Sequence, residues 1–338
     1  MSARQTIIPV FVPHVGCPNG CVFCNQRSIS GAVRPITPEE VSHAIQQAAA
    51  IAPNGGERQL AFYGGSFTAI PVSQQEALLT AAQPYLRDGV ISSIRLSTRP
   101  DAIDHEKLLR LRHFGVKTIE LGAQSMDDKV LQLAGRGHTA QQVADAAAMV
   151  KTYGFEVILQ MMTGLPGDDG DASVRTAHAI AALKPHGVRV YPTVIVRNTP
   201  LYHMWKNGTY QEHTVEDAVR VCAKVIPIFD EACIPVIRLG LNPTEDLSAG
   251  EAAGGAYHPA LGELVRSRMM LEQVRAMLAQ QTCGPHLVLT VGKGKTSQMI
   301  GQRRCNINAL CEEFHLRTVK VRELSEKSDK IEIKFIAK

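Results

Sequence analysis

The stretch Ile7-Ile8-Pro9-Val10-Phe11-Val12 runs directly into Pro13-His14-Val15-Gly16-Cys17-Pro18-Asn19-Gly20-Cys21-Val22-Phe23-Cys24. It reads as a β-branched apolar strand followed by a loop that carries three cysteines in C-x3-C-x2-C spacing. Thiolates this close on one loop can converge on one metal centre, and soft sulfur ligands favour an iron–sulfur cluster or zinc. A closed zinc site or an electron-transfer cluster takes four ligands, and no fourth cysteine stands nearby. Three thiolates would leave one iron of a cubane cluster open to a small molecule, which points to chemistry. Two blander readings stand beside this one: a zinc site completed by a histidine such as His14, and buried thiols acting as small hydrophobes.

Beyond the loop the strand-then-helix pattern repeats. Thr37-Pro38-Glu39-Glu40 is a helix start, with Thr as cap, Pro in the first helical position and acids in the first turn. Helices are predicted at Pro38–Ile51, Ser73–Leu86, His105–Phe114, Ala140–Tyr153 and Ala172–Leu183. Strands are predicted at Ile7–Val12, Gln59–Tyr63, Ser93–Ser97, Thr118–Leu121, Glu156–Met162 and Gly187–Thr193. Such alternation argues for parallel pairing with the helices outside, in an incomplete (β/α)6 TIM-type barrel. Polar or glycine-rich segments follow the strands: Gly64-Gly65-Ser66, Thr98-Arg99-Pro100-Asp101, Gly122-Ala123-Gln124-Ser125 and Gly164-Leu165-Pro166-Gly167. In a (β/α) barrel that face carries the active site. Glycines at 64 and 65 let a ligand approach the backbone, and Arg99, Gln124, Arg136 and Gln160 can hydrogen-bond a carboxylate, ribose or phosphate. Taken singly, each of these polar residues is as readily a surface or structural one.

The chain of 338 residues is 45% hydrophobic and 20% charged, as in a globular protein. No apolar run approaches the roughly 20 residues of a membrane span, and the N-terminus lacks a signal-peptide pattern, so a cytoplasmic protein with reduced thiols is expected. Of the net charge of +4, residues 283–338 carry 11 Lys+Arg against 6 Asp+Glu, a net of +5, and the remainder is close to neutral. Three segments are expected: a barrel over 1–240, a closing loop and packing helix over 241–282, and a small basic α+β domain over 283–338. The closing loop contains Asn242-Pro243-Thr244-Glu245-Asp246, and the helix runs from about Pro259 to Gln281. In the last segment, strands at Leu287–Val291, Thr318–Arg322 and Ile331–Phe335 surround helices at Thr296–Ile300 and Asn306–Phe314. Between those helices, Gly301-Gln302-Arg303-Arg304 resembles the Gly-x-x-Gly loop of a KH nucleic-acid module, with Arg304 in place of the second glycine. Lys293, Lys295, Gly301, Arg303 and Arg304 are the candidate RNA contacts, beside the alternative of a plain packing domain. Gly292-Lys293-Gly294-Lys295-Thr296 is not a Walker loop, since Leu289 stands where its first glycine belongs. The other cysteines, Cys222, Cys233, Cys283, Cys305 and Cys311, form no C-x2-C pair and read as free thiols.

Together, the three-cysteine loop, Gly64-Gly65, Ser97-Thr98-Arg99-Pro100-Asp101, Glu120-Leu121-Gly122-Ala123-Gln124-Ser125, Gly135-Arg136-Gly137-His138-Thr139, Met161–Gly167 and Val190–Tyr202 resemble the radical S-adenosylmethionine (SAM) superfamily. Within it they are most similar to the radical domain of the Elongator catalytic subunit and its short bacterial relatives, over roughly residues 7–240. The resemblance implies a [4Fe–4S] cluster on Cys17, Cys21 and Cys24, with SAM on the fourth iron, cleaved reductively to a 5′-deoxyadenosyl radical. It implies Gly64 and Gly65 at the SAM amino group, Gln124, Arg136 and Gln160 around its ribose and carboxylate, and Phe23 near its adenine; Ser66 and Arg99 are further expected cofactor-binding residues. It also implies an external electron donor of flavodoxin or ferredoxin type and an RNA substrate, foremost tRNA. Nothing after Gly240 resembles the acetyltransferase domain of the Elongator subunit, so acetyl-CoA-dependent chemistry is not carried over. Two alternatives remain at this point: a radical enzyme for a small molecule or tetrapyrrole, and a non-catalytic, metal-stabilised RNA-binding protein.

Overall fold

The computed structural model describes residues 6–12, 20–24, 35–51, 56–241 and 251–336. In chain order the first nine strands are β1 (Thr6–Val12), β2 (Arg58–Gly64), β3 (Ser93–Thr98), β4 (Val116–Gln124), β5 (Glu156–Thr163), β6 (Gly187–Pro192), β7 (Val194–Val196), β8 (Val236–Leu239) and β9 (Ala252–Gly255). Seven of them form one parallel sheet in the order β1-β2-β3-β4-β5-β6-β8, in which β1 and β8 are the two edges. The expected six-stranded partial barrel is therefore present, extended by the short strand β8. Helices α1 (Pro38–Ile51), α2 (Val72–Arg87), α3 (His105–His113), α5 (Ala140–Thr152) and α6 (Asp171–Ala182) connect successive strands. Three further helices were not expected: α4 (Asp128–Leu133), α7 (Pro200–Lys206) and α8 (Val215–Glu231).

Away from the bulges the strands alternate, and the register makes the alternation two-faced. Leu60 pairs with Ile94, Leu96 with Ile119, Leu121 with Leu159, and Leu159 with Val188, and all are buried in the main core against the helices. The opposite face pairs Ala61 with Arg95, Ser97 with Glu120, Gly122 with Gln160, Gln160 with Arg189 and Met162 with Tyr191. In register, paired residues point to the same side of a sheet. The apolar set thus packs under the helices, and the concave side is largely polar. At its lower end the Gln59 amide donates to Ser93 Oγ (2.9 Å) and Thr118 Oγ1 (3.3 Å), and Thr118 donates to Glu156.

The segment expected to be a closing loop is in part a strand. β9 pairs antiparallel with β7, and Ala256 donates its N–H to the Thr193 carbonyl. The Asn242-Pro243-Thr244-Glu245-Asp246 segment lies outside the described residues. The following helix, α9 (Leu261–Leu278), serves two cores. Leu261 and Val265 belong to the barrel core, whereas Leu271, Val274 and Leu278 belong to that of the last segment. That segment is built from β10 (His286–Val291), α10 (Thr296–Ile300), α11 (Cys305–Glu313), β11 (Thr318–Glu323) and β12 (Glu332–Phe335). β10 is the central strand, parallel to β11 and antiparallel to β12. Asn306 joins α11 to its neighbours, its buried amide donating to the carbonyls of Ser267, Gln298 and Met299. No helix among the described residues is long and apolar enough to cross a membrane.

Asn306→Ala leaves three carbonyls without that donor, which costs about 2 kcal/mol or more. A thermal melt is expected to show a midpoint several degrees lower, while the exposed neighbour Asn308→Ala stays within about one degree of the parent.

Candidate active site at the mouth of the barrel

The described part of the cysteine loop is fixed by backbone bonds. Cys24 donates to the Cys21 carbonyl (3.1 Å), Val22 donates to Ala134 at the end of α4 (3.0 Å), and Leu201 of α7 donates back to Val22 (2.8 Å). The Val22 and Phe23 side chains pack against Val130, Ala134 and Leu165 on one side and Ile195, Leu201 and Tyr210 on the other. Two of the unexpected helices are thus the supports of the loop. Cys17 lies outside the described residues. Cys21 is buried, Cys24 half-buried, and both border a cavity of about 270 Å³. The same cavity is bordered by Phe23, Gly64, Gly65, Ser66, Arg99, Gln124, Arg136 and Gln160, and by Glu120 and Tyr191.

Each loop is locked in its own way. Gly64 has φ +99°, and a Cβ there would stand 2.6 Å from the Val12 carbonyl, so only glycine fits. Gly65 donates its N–H to that carbonyl (3.0 Å), tying the loop after β2 to the one after β1. Ser66 heads a chain of hydroxyls. Thr68 donates to the Ala102 carbonyl, so Thr98 donates to Thr68, Ser66 to Thr98, and Ser66 accepts from the Arg99 N–H. Ser66 therefore orders the loops after β2 and β3. Arg99 forms a two-pronged pair with Asp101, 2.9 Å at each prong, and donates to the Arg136 carbonyl (2.7 Å). Burial pushes the Asp101 carboxyl up, but the Arg99 fork overrides it and holds the group below its ordinary value. Gln124 follows a β-bulge with φ +64°, a strained conformation for a non-glycine residue, and accepts from the Gln160 amide (3.0 Å).

Arg136 stands at the centre. One of its nitrogens is 3.5 Å from Cys21 Sγ, another donates to the Gly122 carbonyl (2.8 Å), and its buried Nε has no partner among the described residues. Gly122 makes room for it, because a Cβ there would meet the Arg136 guanidinium at 2.7 Å and the Gln124 amide at 3.0 Å. His138, to which the sequence reading gives no role, lies behind. It donates through Nε2 to the Ala123 carbonyl (3.2 Å), and burial, helped by Arg136, pushes its pKa down to about 4. It is neutral at pH 7. Its signal in the sequence is only its place in Gly135-Arg136-Gly137-His138.

The donor set suits an iron–sulfur cluster with a bound SAM: sulfur for iron, a guanidinium with a spare N–H for a carboxylate, side-chain amides for ribose hydroxyls, and bare glycine backbone for close approach. Comparison with known proteins agrees. Residues 11–180, half of the chain, match the Radical SAM superfamily, and residues 185–270 match the Radical SAM C-terminal domain. Elongator complex protein 3 of Homo sapiens is 24% identical over 250 residues, covering 68% of this chain and 45% of that protein. The tRNA uridine(34) acetyltransferase of Methanocaldococcus jannaschii is 23% identical over 303 residues, covering 78% and 55%. The chain spans about half the length of these relatives. Among solved structures, the archaeal Methanocaldococcus infernus Elp3 with an N-terminal deletion superposes with a TM-score of 0.64 at 22% identity, covering 81% of this chain and 64% of that one. Fold and site define an enzyme that works with a [4Fe–4S] cluster and SAM at the mouth of a partial parallel barrel. The chain belongs to the radical SAM superfamily.

Two outcomes follow from the geometry. Gly122→Ala displaces the Arg136 guanidinium, so SAM affinity of the reconstituted protein, measured by equilibrium dialysis, is expected to fall about tenfold, on the order of one charge-assisted hydrogen bond. For His138 the folded pKa lies below the unfolded value, so protons favour the unfolded chain between about pH 6.5 and 4. Stability is lost as pH falls through that window, by up to about 3 kcal/mol. His138→Gln, which keeps a donor for Ala123, is expected to show a smaller drop in melting temperature between pH 7.5 and 5 than the parent, both measured without cluster.

Proposed function

We propose that this radical SAM enzyme modifies RNA, with tRNA as the foremost substrate, and that the basic C-terminal segment holds the RNA while the barrel does the chemistry. When bound, cluster and SAM supply a 5′-deoxyadenosyl radical that takes hydrogen from, or adds to, the substrate. In this reading Cys17, Cys21 and Cys24 hold the cluster, and Arg136 offsets the negative charge of its thiolates. Gly64 and Gly65 border the SAM amino group, Gln124 and Gln160 its ribose, and Arg136 its carboxylate. Ser66 and Arg99 position those loops, and Phe23 shields the adenine side from water. Reduction comes from an external flavodoxin- or ferredoxin-type donor in the cytoplasm.

The observation that carries the RNA assignment is the loop between α10 and α11. Gly301 has φ +76°, and Arg303 and Arg304 also stand in the left-handed region, at +51° and +63°. Two successive non-glycine residues there cost on the order of 1 kcal/mol each. Both are exposed, and the fold spends this strain on presenting two guanidiniums at the start of α11. Beside them a groove of about 430 Å³ is lined by Ile300, Arg304, Ile307, Lys320 and Arg322, an apolar floor with a basic rim that suits unstacked bases and phosphates. Lys295, by contrast, is paired with Asp329, which partly offsets its charge. The similarity over most of the chain to a tRNA uridine(34) acetyltransferase supports the same substrate class.

The test is anaerobic reconstitution with dithionite and SAM, and mass spectrometry of 5′-deoxyadenosine with and without bulk tRNA. Stimulation by tRNA is expected, and Arg303→Glu with Arg304→Glu should abolish the stimulation while sparing the tRNA-independent rate. Production indifferent to tRNA would instead favour a small-molecule substrate.

A further inference from the structure

Part of the cavity is not claimed by the cofactor. On β5, β6, β7 and just after β8 its lining is apolar, from Met162, Pro192, Val194, Val196 and Leu241. Glu120 and Tyr191 line it too, and the cofactor reading uses neither. One guanidinium fixes both. Arg189 donates through Nη2 to Glu120 Oε1 (3.0 Å) and through Nη1 to the Tyr191 hydroxyl (3.1 Å), so a rigid fork holds the two groups as neighbours.

Glu120 Oε1 is crowded, because Arg95 (2.9 Å) and the Tyr63 hydroxyl (3.2 Å) donate to it as well. Oε2 is not. Arg189 Nε lies 2.8 Å from it, but that N–H is directed elsewhere and makes no hydrogen bond among the described residues. Oε2 thus keeps its acceptor capacity, on a residue only 4% exposed. Tyr191 accepts from Arg189, so its own O–H remains to donate. An acceptor and a donor left open side by side are satisfied by a ligand that carries the complement. Charge decides what kind. An anion would meet the Glu120 carboxylate, and a cation would meet a carboxylate already matched by two guanidiniums; like charges juxtaposed are strongly unfavourable. What fits is an uncharged edge with an N–H next to a carbonyl, its flat body against the apolar lining.

We infer that Glu120 and Tyr191 are the substrate-recognition pair of the cavity. Glu120 Oε2 accepts from an uncharged amide or imide edge of the substrate, and the Tyr191 hydroxyl donates to it. The inference rests on the barrel cavity being the active site of a radical SAM enzyme. With RNA as the substrate, the edge is that of a base.

Thermal shift on the anaerobically reconstituted protein with saturating SAM tests this. SAM's own stabilisation in the same melts reports separately on the cavity as the cofactor site. The probes are succinimide and N-methylsuccinimide at about 50 mM, with sodium acetate against sodium chloride as the anion control. Methylation removes only the N–H, so the pair tests the Glu120 acceptor without disturbing the layer that Glu120 holds together. Succinimide is expected to raise the melting temperature by about 1 °C or more over its methylated form, since a ligand that binds only the folded state stabilises it. That difference should vanish in Tyr191→Phe, whose SAM affinity should change less than twofold. Uridine and inosine carry the same edge and read its source. A response to either places the edge on a nucleobase, and a response to succinimide alone places it on a small molecule. The inference is overturned if the two imides act equally on the parent, if acetate exceeds both chloride and succinimide, or if the difference survives in Tyr191→Phe. A tenfold loss of SAM affinity in Tyr191→Phe would overturn it too, since Tyr191 would then be a cofactor contact.

Discussion

A parallel sheet that stops short of closing must keep its concave side compatible with water and ligand while its convex side is sealed by helices. The strands of this chain meet that demand by alternation. Leu60, Phe62, Ile94, Leu96, Ile119, Leu121, Val157 and Leu159 supply the convex core, and Gln59, Arg95, Ser97, Glu120, Gln160, Arg189 and Tyr191 are left inside. A one-residue slip of any strand would bury its charges under the helices, so the polar interior also fixes the register. In closed barrels the interior is packed with branched apolar side chains. Here it is an ionic layer with a cavity above it, and the cavity exists because the layer does not fill it.

The candidate cofactor site stands on the rim of that layer, where strand ends, bulges and short helices meet. Its parts hold one another more than they hold the sheet. The Cys21–Cys24 turn hangs from Ala134 and Leu201, Arg99 holds the Arg136 carbonyl, and Ser66 orders two loops through a run of hydroxyls. Arg136, buried and bonded to the Gly122 carbonyl, keeps its Nε without a partner among the described residues.

Much of this was legible in the sequence. Predicted strands and helices of the barrel fall within about two residues of those observed, apart from β4, because Gly, Pro and capping residues punctuate them. β4 was read short, since Gly122-Ala123-Gln124 looks like a loop, whereas a bulge carries the ladder on to Gln124. α4 and α7 are short, at six and seven residues, and too brief for periodicity to reveal. α8 had readable signals, a Thr214–Asp217 capping box and an apolar stripe, but Pro227 argues against a helix of its length. β8 and β9 are four residues each and depend on partners distant in sequence. The ionic layer was out of reach for a related reason. Glu120 meets Arg95 and Arg189 from 25 and 69 residues away, so its meaning lies in the register between strands and not within any one of them.

The central claim is that three thiolates at the barrel mouth leave one iron open for SAM. It is tested most directly by electron paramagnetic resonance of the anaerobically reconstituted, dithionite-reduced protein, with iron and sulfide content determined in parallel. The account predicts a [4Fe–4S] signal that changes its g values on addition of SAM and is lost in Cys21→Ala. A protein that takes up zinc in place of iron, or a full cluster whose signal is indifferent to saturating SAM, would contradict it.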